Sequence, residues 1–369
     1  HGPTLAFKDL AMQILARLMD HVLTERGERL MIAGATSGDT GGAALEAFKT
    51  CDGIETFFMF PDGKVSDFQR RQMTTVGADN CHALAIDGSF DDCQTMVKDM
   101  FANQAFASRV KLSAVNSINW GRVMAQVVYY FTAATALGAP EQKVSFTVPT
   151  GNFGDIYAGY VAKQMGLPID RLVIATNEND ILARTLATGN HKLGSVKATI
   201  TPSMDIHISS NFERLLFEAA GRDSTMVRDL MAALKHDHNY SLPDEMLKFI
   251  RDSFDAGAVS EVETVEEVAR IFRDTGYIAD PHTAIAVKVA HDYADPEVPM
   301  VTLSTAHPAK FPDTVHDATG KTAHPPVWGD IPGERSESVA YLANDRACVE
   351  EYMLKHSRLG LEAYQSRTA

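Results

Sequence analysis

Cysteine and positive charge are both scarce in this sequence of 369 residues. Its four cysteines, Cys51, Cys81, Cys93 and Cys348, form no Cys-x-x-Cys pair and show no metal-ligand spacing. We interpret them as buried or free thiols in a reducing compartment, and we expect no metal site. The 48 acidic residues outnumber the 34 basic ones, and a net charge of −14 argues against a protein that binds the backbone of nucleic acids. Any anionic ligand therefore needs a local site.

A membrane-spanning run and a secretory signal are also lacking. Residues 123–140 carry no charge, but they include Gln126, two tyrosines and two threonines, so they fall short of a membrane span. We expect a buried helix there, no membrane partner and a cytoplasmic location. The chain begins at His1 rather than at methionine, and we expect part of the protein to lie upstream of it.

Short apolar strands alternate with helical patterns along the chain, which is typical of α/β proteins with parallel sheets. We predict strands over 29–33, 56–60, 81–86, 144–149, 172–176 and 300–304, and helices over 65–73, 91–101, 156–164, 226–235, 262–274 and 338–356. Residues 222–275 are richer in charge, and we interpret them as a mainly helical insertion.

Residues 151–155, Gly-Asn-Phe-Gly-Asp, form a glycine-rich turn between a predicted strand and a predicted helix. Such a turn directs backbone N–H groups and the positive end of a helix dipole at one point, where a phosphate can bind. Asn152 can add a side-chain donor. A helix cap provided by Asp155 would explain the same composition, and both interpretations remain open.

A second turn, Ser-Gly-Asp-Thr-Gly-Gly at residues 37–42, also precedes a predicted helix. It lacks the Gly-x-Gly-x-x-Gly spacing of dinucleotide sites and the Gly-Lys-Ser/Thr ending of a P-loop, so neither nucleotide interpretation is favoured. Its hydroxyls and amides could bind a carboxylate. Alternatively, Ser37 or Asp39 is the N-cap of the helix.

The segment Asn-Ser-Ile-Asn-Trp-Gly-Arg, residues 116–122, brings three polar side chains and a guanidinium ahead of the uncharged helix. It could bind an anion, or Ser117 or Asn119 could cap that helix, and the two interpretations are equally good. His282 and His307 are isolated histidines, and without a third ligand nearby they do not indicate a metal site.

Lys8 stands between a Gly-Pro turn and an apolar helical pattern. A helix N-terminus disfavours a protonated amine, and a dry site would lower its pKa further, so Lys8 could attack an aldehyde. Taken alone, however, the position fits a solvated surface lysine better, because most lysines are solvated charges.

Taken together, these motifs resemble the threonine synthases of bacteria and fungi, a family of fold-type-II pyridoxal-phosphate enzymes. The resemblance covers nearly the whole chain and rests on residues 1–9, 37–41, 116–120, 151–155, 201–206, 209–214, 276–283 and 305–311. Family members carry an N-terminal segment ahead of the lysine motif, and we expect that segment to be missing here.

The resemblance implies a fold like that of the tryptophan synthase β chain: two three-layer α/β/α domains with the cofactor in the cleft. We expect residues 1–27 and 141–330 to form the larger, cofactor-binding domain and residues 28–140 the smaller one. Residues 331–369 would be a C-terminal extension.

The resemblance also implies residue roles. Lys8 would bind pyridoxal phosphate covalently, Gly151, Asn152, Phe153, Gly154 and Asp155 would hold its phosphate, and the hydroxyl of Thr305, or as second choice Ser304, would face the ring nitrogen. Asp39 replaces an asparagine of cysteine-synthase-like relatives, so the partner of the phenolic oxygen is in doubt, and we expect Asn119 there. Ser37 and Thr40 would bind the substrate carboxylate, and Asn116, Ser117 and Arg122 its phosphate.

The implied reaction converts O-phospho-L-homoserine and water to L-threonine and phosphate, with Lys8 as the base at the substrate Cα. Two other functions are considered: a related pyridoxal-phosphate dehydratase or β-replacing synthase that acts on a hydroxy amino acid, and a non-catalytic ligand-binding fragment. We expect a monomer or a homodimer.

Overall fold

The computed structural model describes residues 1–326 and 335–359. It divides the chain into two compact units, one of residues 1–121 with the described part of 325–369, the other of residues 122–324. No helix in the described residues is long and apolar enough to cross a membrane.

The first half of the chain contains α1 (Lys8–Arg26), β1 (Leu30–Ala35), α2 (Asp39–Phe48), β2 (Ile54–Pro61), α3 (Asp67–Thr74), β3 (Cys81–Asp87), α4 (Phe90–Ala102), α5 (Gln104–Arg109), β4 (Leu112–Ser113), α6 (Trp120–Ala136), β5 (Val144–Pro149), α7 (Gly154–Gln164) and β6 (Ile169–Thr176). The second half contains α8 (Ile181–Thr188), β7 (Asn190–Lys192), α9 (Phe212–Ala219), α10 (Ser224–Asp237), β8 (Asn239–Ser241), α11 (Asp244–Arg251), β9 (Phe254–Ala258), α12 (Glu261–Thr275), α13 (Pro281–Ala290), β10 (Met300–Thr302), α14 (Pro312–Thr319), β11 (Ala340–Ala343) and α15 (Arg346–His356). Short 3-10 helices lie at Pro202–Met204, His291–Tyr293 and Pro308–Lys310.

The first unit is built on a parallel sheet in the order β11-β3-β2-β1-β4. Every residue of β2 is buried, because helices cover both faces of the sheet, as parallel sheets require. One face packs Met12 of α1 and Phe48 of α2 against the strands. The other face packs Met100 of α4 and Met353 of α15.

The second unit has its own parallel sheet, in the order β10-β5-β6-β9. Its larger core contains Tyr130 of α6, Phe146 of β5 and Phe212 of α9. A smaller core on α13 packs Ile285 and Val289 against Val173 of β6. In the same unit, β7 and β8 form a short antiparallel pair of strands.

The sequence motifs lie where strands of the two sheets end. β1 ends at Ala35, β5 at Pro149 and β10 at Thr302, each just ahead of a predicted binding loop. Since the carboxyl ends of parallel strands share one edge of a sheet, each unit presents its loops on one edge, where ligands bind in α/β proteins.

The predicted α/β architecture is confirmed, but the boundaries of the two units differ from those expected. Residues 1–27 belong with the first unit, because Met12 and Leu15 of α1 share a core with Phe48 of α2. Residues 122–140 belong with the second, because Val123 and Tyr130 are buried in its core. The amphipathic pattern of a helix shows that one face is buried but not which sheet covers it.

Three local predictions also need correction. The charged segment 222–275 is not a peripheral helical insertion throughout, because β9 pairs with β6 and extends the sheet. The predicted helix 338–356 begins with β11, which pairs with β3, and the helix starts only after Asp345, whose side chain caps it. Helix α6, which contains most of the uncharged run 123–140, is buried on one face only, since Met124 and Val128 are half exposed. The predicted extension 331–369 lies partly outside the described residues.

The cysteines are free thiols, as predicted. Cys51 and Cys93 are buried, Cys81 is half-buried and Cys348 is exposed. Burial raises the pKa of Cys51 and of Cys93 to about 11, which makes these two thiols poor nucleophiles.

A buried histidine makes the stability of the second unit depend on pH. Burial, with a smaller effect of Arg184, lowers the pKa of His191 from 6.5 to about 4. The unfolded chain therefore takes up a proton that the folded chain does not, so the free energy of unfolding falls as the pH drops from about 6.5 to 4, by about 3 kcal/mol in total.

We expect His191→Phe to flatten this part of the pH profile, because Phe keeps the packing on Phe212 and Tyr240 and does not titrate. Urea titrations at pH 7 and pH 4.5 measure the effect. His21→Phe, at an exposed side chain, serves as control and should keep the wild-type slope. An equal slope in the His191 variant would contradict the assignment.

Candidate active site

The loop that leads into Lys8 is folded around the carboxylate of Asp9. One oxygen, Oδ2, accepts hydrogen bonds from the backbone N–H groups of Gly2, Thr4 and Ala6 at 3.1, 3.0 and 3.3 Å. The other accepts from the Thr4 hydroxyl. A Cβ on Gly2 would lie 2.6 Å from the Cβ of Asp9, so the turn requires glycine. The loop is thereby fixed immediately before the helix that begins at Lys8.

Leu5 illustrates how firmly this loop is held. It is fully buried and adopts a left-handed φ of 63°, which a branched side chain rarely takes without support from its surroundings. The role of Asp9 was not predicted from the sequence. The available signal was a carboxylate in the first helical turn, next to the candidate lysine, where it can reach backbone amides of the preceding loop.

Lys8 itself is not a solvated surface lysine, and that interpretation is wrong. Only 12% of its side chain is exposed. Its Nζ lies 3.4 Å from Oδ2 of Asp39 and 5.0 Å from the centre of the Phe7 ring. The other oxygen of Asp39 accepts a hydrogen bond of 2.9 Å from Nε2 of Gln69. The amine is thus enclosed and paired with a buried acid.

The turn at residues 36–42 is capped by a residue that the sequence did not single out. The hydroxyl of Thr36 accepts hydrogen bonds of 2.9 Å from the backbone N–H groups of both Gly38 and Gly41. The N-cap position of α2 is Gly38, without a side-chain cap, so the expected cap by Ser37 or Asp39 is wrong. Ser37 and Thr40 are half-buried in the same turn, beside the paired Asp39.

The segment 116–122 shows the capping arrangement at Asn119. Its side-chain oxygen accepts a hydrogen bond of 2.9 Å from Gly121 N–H, and its amide donates to Ala114 C=O at 3.3 Å. Asn116 is exposed and Ser117 half-buried. Arg122 belongs to the second unit, where it is 3% exposed, and burial lowers the pKa of its guanidinium to about 10.

Residues 209–211 are hydrogen-bonded to the predicted phosphate loop. Asn152 C=O accepts hydrogen bonds from the backbone and side-chain N–H groups of Asn211, at 3.1 and 2.9 Å. Gly151 C=O accepts from the Ser209 hydroxyl at 2.7 Å, and Ser210 donates to the Asn152 side chain at 3.1 Å. With these carbonyls engaged, the loop enters α7 through Phe153, whose φ of 62° is left-handed.

The N-cap position of α7 is Phe153, without a side-chain cap, so the expected N-cap position does not belong to Asp155. Its backbone and side-chain oxygens both accept from the hydroxyl of Tyr130, at 2.9 and 3.1 Å. Burial and the neighbouring carboxylate raise the pKa of Tyr130 well above its usual value, so the hydroxyl keeps its proton and remains a donor. The N–H groups at the start of α7 are donors of the kind that binds an anion at a helix N-terminus.

Ser304 and Thr305 follow β10. Thr305 is 6% exposed, and the hydroxyl of Ser304 is joined to that of Thr283 by a hydrogen bond of 3.3 Å. Thr283 in turn donates to the carboxylate of Asp280, which caps α13 and also lies 3.0 Å from Nδ1 of His282.

Two further residues of this edge were not assigned roles from the sequence. Lys310, in the segment 305–311, is 1% exposed, which is rare for a lysine. His307 accepts a hydrogen bond of 3.1 Å from Ala309 N–H and so stabilises the short helix that contains Lys310. Within residues 1–326 and 335–359, no group of three or more His, Cys, Asp or Glu side chains is placed to hold a metal.

Comparisons with known proteins define the class. Residues 1–300 match the family described as pyridoxal-phosphate dependent enzyme, and residues 283–353 match the family described as threonine synthase, C-terminal. The chain is 51% identical to threonine synthase of Pseudomonas aeruginosa, over 98% of this chain and 77% of that protein.

Solved structures agree with these matches. A pyridoxal-phosphate-bound threonine synthase from Brucella melitensis superposes with a TM-score of 0.94 at 57% identity, over 97% of this chain and 77% of that one. Threonine synthase from yeast gives 0.88 at 36% identity, over 96% of this chain and 77% of that one. The chain thus belongs, within the pyridoxal-phosphate enzymes, to the threonine synthase family.

The residues present suit pyridoxal phosphate. An enclosed amine at Lys8 can bind an aldehyde, and first-turn amides of α7 together with Asn152 are donors for a phosphate dianion. Hydroxyls at Ser304 and Thr305 can face a ring nitrogen. Which of these side chains contact the cofactor remains a prediction.

We expect Asp9→Ala to open the loop ahead of Lys8, because three amides and a hydroxyl lose their acceptor. Buried donors left unpaired cost about 1–3 kcal/mol each, so the free energy of unfolding should fall by at least about 2 kcal/mol. Hydrogen exchange followed by mass spectrometry should show faster exchange in residues 1–9. Glu25→Ala, at an exposed carboxylate of the same helix, should change neither quantity.

A methyl group at Gly151 should disturb the phosphate loop. Its Cβ would lie 2.6 Å from the carbonyl oxygen of Ser203, so Gly151→Ala must move the backbone that presents the amides. We expect the affinity for pyridoxal phosphate to drop about tenfold or more, measured by absorbance titration of the cofactor-free protein. Gly194→Ala, where the nearest atom would be 4.0 Å away, is the matched control. Equal affinities in the two variants would contradict the role of the loop.

Proposed function

We propose that this chain converts O-phospho-L-homoserine and water to L-threonine and inorganic phosphate with pyridoxal phosphate bound at Lys8. Membership in the threonine synthase family supports the reaction. The observation that carries the residue assignment is the enclosed amine of Lys8, which is 12% exposed and lies beside the carboxylate of Asp39.

On the cofactor side, Lys8 binds the aldehyde, and the turn of residues 151–155 holds the phosphate through the N–H groups at the start of α7 and the side chain of Asn152. Thr305, or in second place Ser304, presents a hydroxyl to the ring nitrogen. Because a hydroxyl is neutral, this nitrogen would stay largely unprotonated. Asn119 is proposed for the phenolic oxygen, although its side chain is already engaged with Ala114 and Gly121.

On the substrate side, Ser37 and Thr40 offer hydroxyls to the carboxylate, while Asn116, Ser117 and Arg122 bind the phosphate that leaves. When bound, pyridoxal phosphate supplies an electron sink that makes the protons on the substrate Cα and Cβ acidic. Lys8 Nζ removes the Cα proton and later returns it. Two local phosphate sites are consistent with a chain whose net charge is −14.

The other functions considered receive less support. Neighbours such as maize serine racemase share only 15% identity at a TM-score of 0.55, so they show the fold alone. A non-catalytic fragment is disfavoured by the enclosed Lys8 and the braced loop at 151–155. We further propose that the protein acts in the cytoplasm as a monomer or homodimer, and that it needs neither nucleic acid nor membrane.

Lys8→Ala tests this proposal. We expect phosphate release from O-phospho-L-homoserine to fall by at least about a thousandfold, because both the covalent anchor and the Cα base are lost. Borohydride reduction of the loaded protein should fix the cofactor on the peptide that contains Lys8, as mass spectrometry can show. Lys64→Ala, at an exposed side chain, is the control.

Ammonia release from L-serine and L-threonine is measured in parallel with phosphate release. Faster ammonia than phosphate release would indicate a dehydratase instead. A Lys8→Ala protein that still forms threonine at the wild-type rate would refute the assignment of Lys8.

A further inference from the structure

An acidic side chain, that of Asp39, faces the candidate catalytic amine. Its Oδ2 lies 3.4 Å from Lys8 Nζ, and the two side chains are 5% and 12% exposed. Water therefore screens their interaction poorly, and a charge on Asp39 acts strongly on the protonation of Lys8. Asp39 lies in the first turn of α2, where the helix dipole favours its ionised form.

The carboxylate is held in place by a second layer of contacts. Gln69 donates to Oδ1 of Asp39 at 2.9 Å, while its own side-chain oxygen lies 3.1 Å from the hydroxyl of Ser66, the N-cap of α3. A Cβ on Gly38 would lie 2.5 Å from Cδ of Gln69, and Gly38 also has a φ of 138°. The turn before α2 thus requires glycine in order to admit Gln69 behind Asp39.

A neutral asparagine could also accept the hydrogen bond from Gln69, but it would lack the negative charge that acts on Lys8. The dipole of α1 disfavours a positive charge on Lys8, whereas a carboxylate at 3.4 Å favours it. Asp39 therefore favours the protonated form of the Lys8 amine. This effect matters in the step in which Lys8 takes up the substrate Cα proton.

We propose that Asp39 is a positioning residue for Lys8: its ionised carboxylate, fixed by Gln69, holds the amine in place and stabilises the ammonium that forms when Lys8 takes the substrate Cα proton. This inference rests on the proposed function. In the step, the C–H bond breaks, the proton moves to Lys8 Nζ and the electron pair stays with the substrate. Asp39 stays deprotonated throughout and exchanges no proton.

The amine can be titrated without turnover. The full chain, stripped of cofactor, is labelled with a trace of acetic anhydride between pH 6 and 11, and the label on each lysine peptide is measured by mass spectrometry. Because only the free amine reacts, the midpoint of labelling reports the pKa of Lys8. We expect Asp39→Asn to lower this midpoint by about one pH unit or more, which means about tenfold faster labelling below both midpoints.

Two variants test the specificity of the effect. Gln69→Leu keeps the charge and releases its anchor, so the Lys8 midpoint should move in the same direction by less. Glu46→Gln removes a carboxylate of the same helix that pairs with Lys49 at 2.6 Å, and it should leave the Lys8 midpoint unchanged. Circular dichroism confirms that each variant is folded.

In the loaded enzyme, the acidic limb of the pH profile of kcat, which reports groups in the substrate complex, should shift in Asp39→Asn by the same amount and sign, with little change in KM. An unchanged or higher Lys8 midpoint in a folded Asp39→Asn protein would overturn the inference, even if threonine is still formed. If wild type made no threonine while the labelling midpoint shifted as expected, the proposed function would fail and the pairing of Asp39 with Lys8 would stand.

Discussion

The candidate site of the first unit depends on the hydrogen bonds to the carboxylate of Asp9, which is buried one residue beyond Lys8. This carboxylate gathers donors from Gly2, Thr4 and Ala6 and so converts an irregular segment into a fixed lead-in to α1. Two further hydrogen bonds support the left-handed conformation of Leu5: its own N–H donates to Gly2 C=O at 2.9 Å, and the Gln72 side chain donates to Thr4 C=O at 3.0 Å. The hydrogen bonds to Asp9 therefore help to set the position of Lys8, although its amine takes no part in them.

In the second unit, two further carboxylates each accept several hydrogen bonds. Asp280 collects the N–H groups of His282 and Thr283 at the start of α13. Asp205 accepts hydrogen bonds of 2.8 and 2.9 Å from the side chains of Asn177 and Asn179, and one of 2.8 Å from Thr199 N–H. Asp280 satisfies donors at the start of a helix, and Asp205 satisfies donors of the loop that follows β6. Asp280 is buried and Asp205 half-buried, and a carboxylate is tolerated in such a place because hydrogen bonds satisfy it.

Local features of the sequence were sufficient to predict several of the strands, turns and helices that carry the candidate site. The strand, turn and helix around residues 151–155 follow from short-range pattern, as does the helix that begins at Lys8. Thr36 as the cap of α2 also has a local signal, a threonine two residues before the N-cap, but Ser37 and Asp39 competed with it. The family resemblance supplied the functional roles that no local pattern could give.

What the sequence could not supply are contacts between distant positions. The brace of residues 209–211 reaches a loop 58 or 59 residues away, and Gln69 reaches Asp39 across 30. The assignment of α1 to the first unit and the pairing of β9 at the edge of the second sheet depend on such contacts too. Burial of one helix face leaves the choice of partner open.

The hydrogen bond from Tyr130 to Asp155 connects cofactor chemistry with the assembly of the second unit. Tyr130 is fully buried in the main core, so its hydroxyl reaches the carboxylate only after the surrounding side chains have packed. The predicted phosphate loop, residues 151–155, is consequently ordered only in the packed chain. A ligand that binds only the packed form draws the population toward it by mass action. The supply of cofactor then contributes to the lifetime of the folded chain as well as to its turnover.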